Sequence, residues 1–351
     1  VIFSKAPDFS VLWPGAKDLM AGINPYINPN LFTGFGYPPN SLLFYLPFSL
    51  LPYQFAQILF TFLSLVSFLG VIIISFKILK EKLSWQSFFI VFSLSLLSFP
   101  TKFTFGMGQN NLIALFLLLL AYYFYKKGKV TKAGIILGTA ISLKTILAFF
   151  LIFFLLKKQW KVILYSVLVI VVSVTITSVF YNINLYNYYL KEVVPPLLNL
   201  SGREIYYNQG VMGFISRLTP NLIGRKYISL ILTSVLTAFV SWLTLYNKHK
   251  DLQFSLFIIT LLLVDTLSWQ HHFVLLIFPF IFLVIFSIKH KNFLHLILIT
   301  LSYLLVSWNF SDPLPYYLFP KSLILSNVFY GALGLFFVNA LLIMKSRRAQ
   351  N

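Results

Sequence analysis

The stretch "DTLSWQHHFVLL", Asp265 to Leu276, sets a carboxylate, an indole and two imidazoles between two long apolar runs. A carboxylate can take a proton from a hydroxyl, and an imidazole can donate a hydrogen bond to a sugar or phosphate oxygen. Near the start of the chain, "PDFSVLWPGAKDLMAGINPY" carries Asp8, Asp18 and Tyr26. Lys144 is the lone charge in "AGIILGTAISLKTILAFFLIFFLL". A lysine at bilayer depth costs ~2.5–3.5 kcal/mol on insertion scales, so it is expected to line a polar cavity and hold an anion. "GMGQNN" supplies Gln109 and Asn110 at a helix start, where backbone N–H groups can meet an anion. "YPP" supplies Tyr37, and the segment from 182 to 226 supplies Arg203, Glu204, Asn208, Gln209 and Arg217.

Each of these has a plainer reading. Asp8 can cap a helix, and Asp18 can sit on a solvated or interfacial face. Lys144 can snorkel or pair within one long helix. The tyrosines and Trp269 can belong to a membrane aromatic belt. A metal site at His271 and His272 is not expected: adjacent histidines point to different faces of a helix, and no Glu or Cys stands at ligand spacing.

The elements that must position these groups are membrane helices. The 351 residues are 59% hydrophobic and only 10% charged, with mean hydropathy +0.85, more apolar surface than a soluble domain of this size can hide. The apolar runs are continuous where a barrel would alternate. The fold class is therefore all-α polytopic membrane protein in one integral membrane domain, 1–351. Candidate spans run over 53–79, 85–99, 109–125, 132–156, 161–181, 227–246, 253–268, 272–288, 293–309 and 321–344. Segment 42–51, flanked by prolines, predicts a partial or interfacial helix. The chain begins at Val1, so a first membrane helix is expected to be missing. There is no cysteine, which excludes disulfides and thiolate metal sites.

The net charge of +19 comes mainly from lysines clustered between spans. The clusters are Lys77, Lys80 and Lys82; Lys126, Lys127, Lys129 and Lys132; Lys157, Lys158 and Lys161; Lys248 and Lys250; Lys289 and Lys291; and Lys345, Arg347 and Arg348. The positive-inside rule makes them cytoplasmic, which argues against nucleic acid as the partner. The clusters on either side of 132–156 then share one side, so that run must enter and return, turning at Lys144. Under this topology the remaining polar groups gather outside: Asp8, Asp18, "TKFTFGMGQNN", the 182–226 loop, Asp265, Trp269, His271, His272 and Asp312. Sequons at Asn199 and Asn309 agree. An enzyme on that face lacks nucleotide sugars and needs a donor that crosses the membrane, such as a lipid-linked phosphate sugar. It needs a carboxylate for the acceptor hydroxyl, for which Asp8 or Asp265 are candidates. It needs cations for the departing phosphate, for which Lys144, Arg217 and Arg203 are candidates. An apolar groove must hold the isoprenoid tail.

The order of motifs resembles glycosyltransferase family 87, the polyprenyl-phosphate-mannose-dependent mannosyltransferase-like group. The matching blocks are 7–26, with its Asp-Phe pair and Gly-x-x-Pro-Tyr; "FGYPPNSLLFYLPFSLLP" (35–52); 106–145, with a Gly-Gln-x-Asn helix, a basic loop and a lysine; "NQGVMGFISRL" (208–218); and "SWQHHFVLLIFP" (268–279). The resemblance covers most of the chain, in order. It implies a GT-C-type fold with about 10–12 membrane helices, some short or re-entrant. It implies an inverting transfer of a hexose, commonly mannose, from a polyprenyl monophosphate, with no cofactor. Asp8 would be the general base. Lys144, Arg217, Gln109, Asn110, Asn208, Trp269, His271, His272, Tyr26 and Tyr37 would bind substrate, with Asp265 and Asp18 as secondary acid or base candidates. The bilayer, the donor and a glycolipid or glycan acceptor would be the partners, at a cell membrane with the site extracytoplasmic. Two departures stand out: the proline that follows the lysine in the family is Thr145 here, and the serine of the Asn-Gln-Ser loop is Gly210.

A transporter or flippase for a lipid-linked glycan is the alternative. It should show a polar path to both faces and paired repeats; here the polar groups end on one face and no repeat is evident. A non-catalytic scaffold gives no reason for Lys144 or for carboxylates gathered outside.

Overall fold

The computed structural model describes residues 6–27, 36–198, 205–219, 221–245, 249–310 and 321–348. Arg203, Glu204, Asp312 and the Asn199 sequon lie outside them. In chain order the principal helices are α1 (Phe9–Met20), α2 (Tyr53–Leu79), α3 (Trp85–Leu97), α4 (Phe99–Met107), α5 (Asn111–Lys126), α6 (Val130–Leu143), α7 (Phe150–Leu156), α8 (Trp160–Phe180), α9 (Val211–Leu218), α10 (Leu222–Leu245), α11 (Lys250–Val264), α12 (Ile277–Lys289), α13 (Phe293–Ser307) and α14 (Asn327–Arg348). Short 3-10 helices cover Pro39–Tyr45, Thr145–Phe149 and Gln270–Leu276.

The chain is an all-α polytopic membrane protein. Among the described residues, five helical stretches are long and apolar enough to cross a bilayer: Tyr53–Leu79, Trp160–Phe180, Ile223–Leu245, Gln270–Lys289 and Asn327–Ser346. A sixth is the pair α3 and α4, bent by 67° at Ser98. Other stretches expected to span are shorter: α5 has 16 residues and α13 has 15, about 22–24 Å of helix against a hydrocarbon core of ~30 Å. The run over 132–156 is not one helix. Lys144 leaves α6 in an extended conformation (φ −144°, ψ 97°), and a 3-10 turn follows before α7. Segment 42–51 is the expected short element, a 3-10 turn running into a four-residue helix, Leu46–Ser49.

Helix ends follow local chemistry. Ser84 caps α3 by accepting the Ser87 N–H at 3.1 Å, and Asn292 caps α13 by accepting that of His295 at 3.1 Å. Three of the cluster lysines take the left-handed conformation just past a helix: Lys80 (φ 57°), Lys158 (φ 56°) and Lys291 (φ 51°). At two of them the next N–H closes a wider ring, Glu81 to the Phe76 carbonyl at 3.0 Å and Asn292 to that of Ser287 at 2.9 Å. The basic clusters thus double as helix stops.

Two compact units emerge. The first comprises 1–74, 102–148 and 159–199; the second comprises 75–101, 149–158 and 200–351. In the first, small residues bring α6 and α8 together. A Cβ on Gly134 would lie 2.7 Å from the Val162 carbonyl oxygen, and one on Gly138 would lie 2.6 Å from that of Ser166. The Ser166 hydroxyl donates to the Gly134 carbonyl at 3.0 Å. Without a hydrophobic drive between helices in lipid, such close approach is a main source of packing energy. The outward face of α8 presents Leu164, Val171 and Val179, as lipid contact requires. In the second unit, Phe150 and Phe153 of α7 interleave with Phe254 and Phe257 of α11 at centroid distances of 5.1–6.2 Å. The same unit joins lysine-bearing ends that the charge pattern assigns to one side: Lys289 pairs with Glu81, and the Lys157 ammonium donates to the Thr244 carbonyl at 2.9 Å. Burial, then the neighbouring Lys250, lowers the Lys157 pKa to about 8.

Candidate active site

In the first unit the chemistry converges on Asp8. It stands at the N-terminal boundary of α1, yet its side chain makes no capping bond. Its Oδ2 instead accepts the Gln109 Nε2–H at 2.5 Å. The backbone arranges this meeting. α4 ends at Met107, whose carbonyl accepts the Asp8 N–H at 2.9 Å. Gly108 then reverses the chain at φ +67°, and a Cβ there would lie 2.8 Å from the Cβ atoms of both Ala6 and Phe9. Only glycine suits both the conformation and the contact. Phe9 anchors the other side of Asp8: fully buried, it stacks on Phe60 at 4.7 Å and lies within 6.3 Å of the rings of Tyr45, Phe48 and Tyr53.

Around the carboxylate a polar chain is built. The Tyr37 hydroxyl donates to Gln109 Oε1 at 3.1 Å, and the Tyr26 hydroxyl donates to the Tyr37 carbonyl at 2.7 Å. The Lys144 ammonium sits 5.8 Å from the centroid of the Tyr37 ring, a cation–π distance, with the residue only 2% exposed. Asn110, fully buried, donates to the Tyr45 hydroxyl at 3.1 Å and to the Leu143 carbonyl at 3.3 Å. That second bond grips the end of α6 one residue before Lys144. Burial pushes the Asp8 carboxyl above the ordinary carboxylate range, while the Gln109 bond and the Lys144 charge pull it back down. Burial, and the neighbouring Asp8, raise the Tyr37 phenol well above its usual value, so it stays a donor. Asp18 is not part of this group. It lies ten residues further along α1, about 15 Å away, where its carbonyl accepts the Ile23 N–H at 2.8 Å.

The second unit assembles its own polar set. Residues 205–210 meet 265–270 through an isolated antiparallel bridge, Asn208 with Trp269. The Gln209 N–H donates to the Ser268 carbonyl and the Gln270 N–H to that of Tyr207, both at 2.8 Å. His271 and His272 follow in the 3-10 turn, both buried, their rings 4.6 Å apart and nearly perpendicular. The Trp269 indole lies parallel to His271 at 6.4 Å. His272 Nδ1 is 3.8 Å from Asp265 Oδ2. Gly210 is packed too closely for the serine that the resemblance would put there: a Cβ would lie 2.8 Å from the Asp265 carbonyl oxygen and 3.0 Å from the Ser268 Cβ.

Arg217 braces this set. Its guanidinium, 2% exposed, donates to Ser326 Oγ at 3.1 and 2.9 Å, to the Ile205 carbonyl at 3.2 Å and to the Asn208 carbonyl at 2.7 Å. Burial lowers its pKa to about 10, which keeps it charged at neutral pH. Asn208 Nδ2 in turn donates to the Thr266 carbonyl at 3.2 Å. Both residues are engaged with protein oxygens that hold the loops. Three contributors escape sequence inspection: Tyr45, Gly108 and Ser326. Gly108 leaves a visible signal, a glycine between a helix end and the Gln-Asn pair. Tyr45 and Ser326 leave none.

The family model for glycosyltransferase family 87 matches residues 35–279. A curated protein of Mycolicibacterium smegmatis, the polyprenol-phosphate-mannose-dependent alpha-(1-2)-phosphatidylinositol pentamannoside mannosyltransferase, is 23% identical over 254 residues. That alignment spans 71% of this chain and 60% of the relative's length. No solved structure matches.

Proposed function

Because the chain belongs to glycosyltransferase family 87, we propose that it transfers a hexose, mannose by its likeness to the mycobacterial relative, from a polyprenyl-phosphate sugar to a lipid-linked or glycan acceptor on the extracytoplasmic face. The observation that carries this reading is the state of Asp8. A carboxylate free of its helix cap, held by an amide and neighboured by a buried lysine, is equipped as a base. Its raised pKa favours proton uptake from an acceptor hydroxyl. The activated oxygen attacks the anomeric carbon opposite the departing phosphate, so the transfer inverts configuration. The donor carries its own leaving group, and the chemistry calls for no cofactor.

Each unit carries features of its own that suit such a donor. In the first, the Lys144 ammonium supplies positive charge beside Asp8; in the second, His271 and His272 carry ring nitrogens of the kind that bond phosphate or sugar oxygens. In the second unit an apolar cavity of about 540 Å³ begins at Phe273 and Val274, next to His272, and follows α12 to Ile288. Its walls include Leu94, Phe280 and Leu304. That lining suits an isoprenoid chain, and a GT-C-type architecture accommodates one. The joined lysine-bearing ends of the second unit support the sidedness, since they gather the cluster charges together.

The test is transfer of labelled mannose from polyprenyl-phosphate mannose by the purified protein, with candidate glycolipid acceptors. Asp8→Asn keeps the shape and should lower turnover by at least about 10³-fold with the fold intact. Full turnover in that variant would remove Asp8 from the role and move attention to Asp265.

A further inference from the structure

Taking Asp8 as the base, we infer that Gln109 and Tyr37 are positioning residues that decide which oxygen of Asp8 receives the acceptor's proton. A carboxylate has two oxygens, and a primary amide has two orientations. Here the Tyr37 hydroxyl donates to Gln109 Oε1 at 3.1 Å, which turns Nε2 toward Asp8. Nε2 then occupies Oδ2 at 2.5 Å. Among the described residues Gln109 is the one side chain that donates to Asp8, and it holds Oδ2, which assigns the reaction to Oδ1. In the opposite orientation two acceptor oxygens would face each other at that distance, a repulsive arrangement. The phenol cannot default on its role, because burial keeps it protonated. Its ring is held on its face by Lys144 and its carbonyl by the Tyr26 hydroxyl. Gln109 itself is only 5% exposed, so water does not replace either partner cheaply.

In the step this arrangement serves, the acceptor O–H breaks and its proton passes to Oδ1. The acceptor oxygen bonds to the anomeric carbon, and the bond from that carbon to the phosphate oxygen breaks with its electron pair on the phosphate. The carboxyl later returns the proton to water. Burial, the Gln109 amide and the Lys144 charge set the Asp8 titration, and the phenols of Tyr37 and Tyr45 lie near enough for the Asp8 charge to raise theirs.

The experiment uses the full chain in lipid nanodiscs, with polyprenyl-phosphate mannose and a glycolipid acceptor. Tyr37→Phe and Gln109→Met are expected each to lower kcat about 10-fold, with the KM for donor unchanged within about twofold. If Tyr37 acts through Gln109, the double variant is no slower than Gln109→Met alone. Gln109→Glu, which sets a second carboxylate against the first, should raise the acid limb of the kcat/KM profile by at least about one pH unit. Multiplicative losses in the double variant, a loss carried by KM, or an unmoved acid limb would each overturn the assignment. An activity-independent readout is infrared titration of the Asp8 carboxyl, its band identified by difference from Asp8→Asn. Gln109→Met should titrate at higher pH than wild type, and coincident curves reject the role. Retained turnover in Asp8→Asn would instead sink the functional reading, so the two failures are distinct.

Discussion

Replacing Gly108 by alanine tests the backbone logic of the site. Two effects act together. The left-handed conformation at φ +67° costs a residue with a Cβ about 1–2 kcal/mol. The new methyl also starts 2.8 Å from the Cβ atoms of Ala6 and Phe9, where ordinary contact begins at 3.4 Å, so the segment bearing Asp8 must retreat by about 0.6 Å. Overpacking of that kind typically costs about 1–3 kcal/mol, and the sum is about 2–5 kcal/mol of stability. A retreat of this size lengthens the Gln109 bond to Asp8, and near-ångström misplacement of a reacting group lowers rate by about 10–100-fold. Gly128 provides the control. It has the same hand of backbone (φ +72°) but nothing within 4 Å of its missing Cβ. Gly128→Ala should therefore lose only the conformational part, about 1–2 kcal/mol, and keep its rate. Thermal unfolding in detergent gives the first quantity and initial transfer rates the second. If Gly108→Ala transfers sugar as fast as Gly128→Ala, the contact between Gly108 and the Asp8 segment does not set the site.

Lys144→Met removes the cation that lowers the Asp8 pKa. A base works deprotonated, so the acid limb of kcat/KM should move to higher pH, as a pH–rate series would show. Thr145→Pro should be tolerated and even add about 0.4–1 kcal/mol of stability, read by thermal unfolding. The Thr145 side chain is exposed, its N–H makes no backbone bond, and Lys144 before it is already extended, as a residue preceding proline should be. Arg217→Lys should lower stability by about 2–4 kcal/mol, because one ammonium cannot reach Ser326, Ile205 and Asn208 together. Faster amide exchange at Gln209 and Gln270 would mark the loosened bridge.

Much of the architecture is legible in the amino-acid sequence, and the reasons are specific. Apolar run length locates α2, α8 and α10, since spanning a bilayer forces roughly twenty apolar residues in a row. The break at Lys144 is legible from the charge pattern on either side of 132–156, although hydropathy alone would draw one helix. Asp8 stands out by residue type, but a helix cap and a candidate base look alike in the sequence until the partner is known. Gln109 lies about a hundred residues away, and no local periodicity reports so distant a hydrogen bond. Arg217 shows the opposite difficulty. A charged residue in an outer loop suggests a ligand, whereas the fold surrounds its guanidinium with neutral protein oxygens. The cluster lysines illustrate a third case: composition marks them as topology signals, and only backbone geometry reveals that Lys80 and Lys291 also end helices.

The clasp between Tyr207–Gln209 and Ser268–Gln270 is written in peptide amides. Truncating a side chain here leaves both N–H···O=C links in place, so an alanine scan reads what the Asn208 and Gln209 side chains add and not the clasp itself. A proline at Gln209 or Gln270, which deletes the donor itself, would expose it at once. The presentation of His271 and His272 therefore rests on two main-chain links that side-chain substitution does not delete, with the Arg217 guanidinium as their brace.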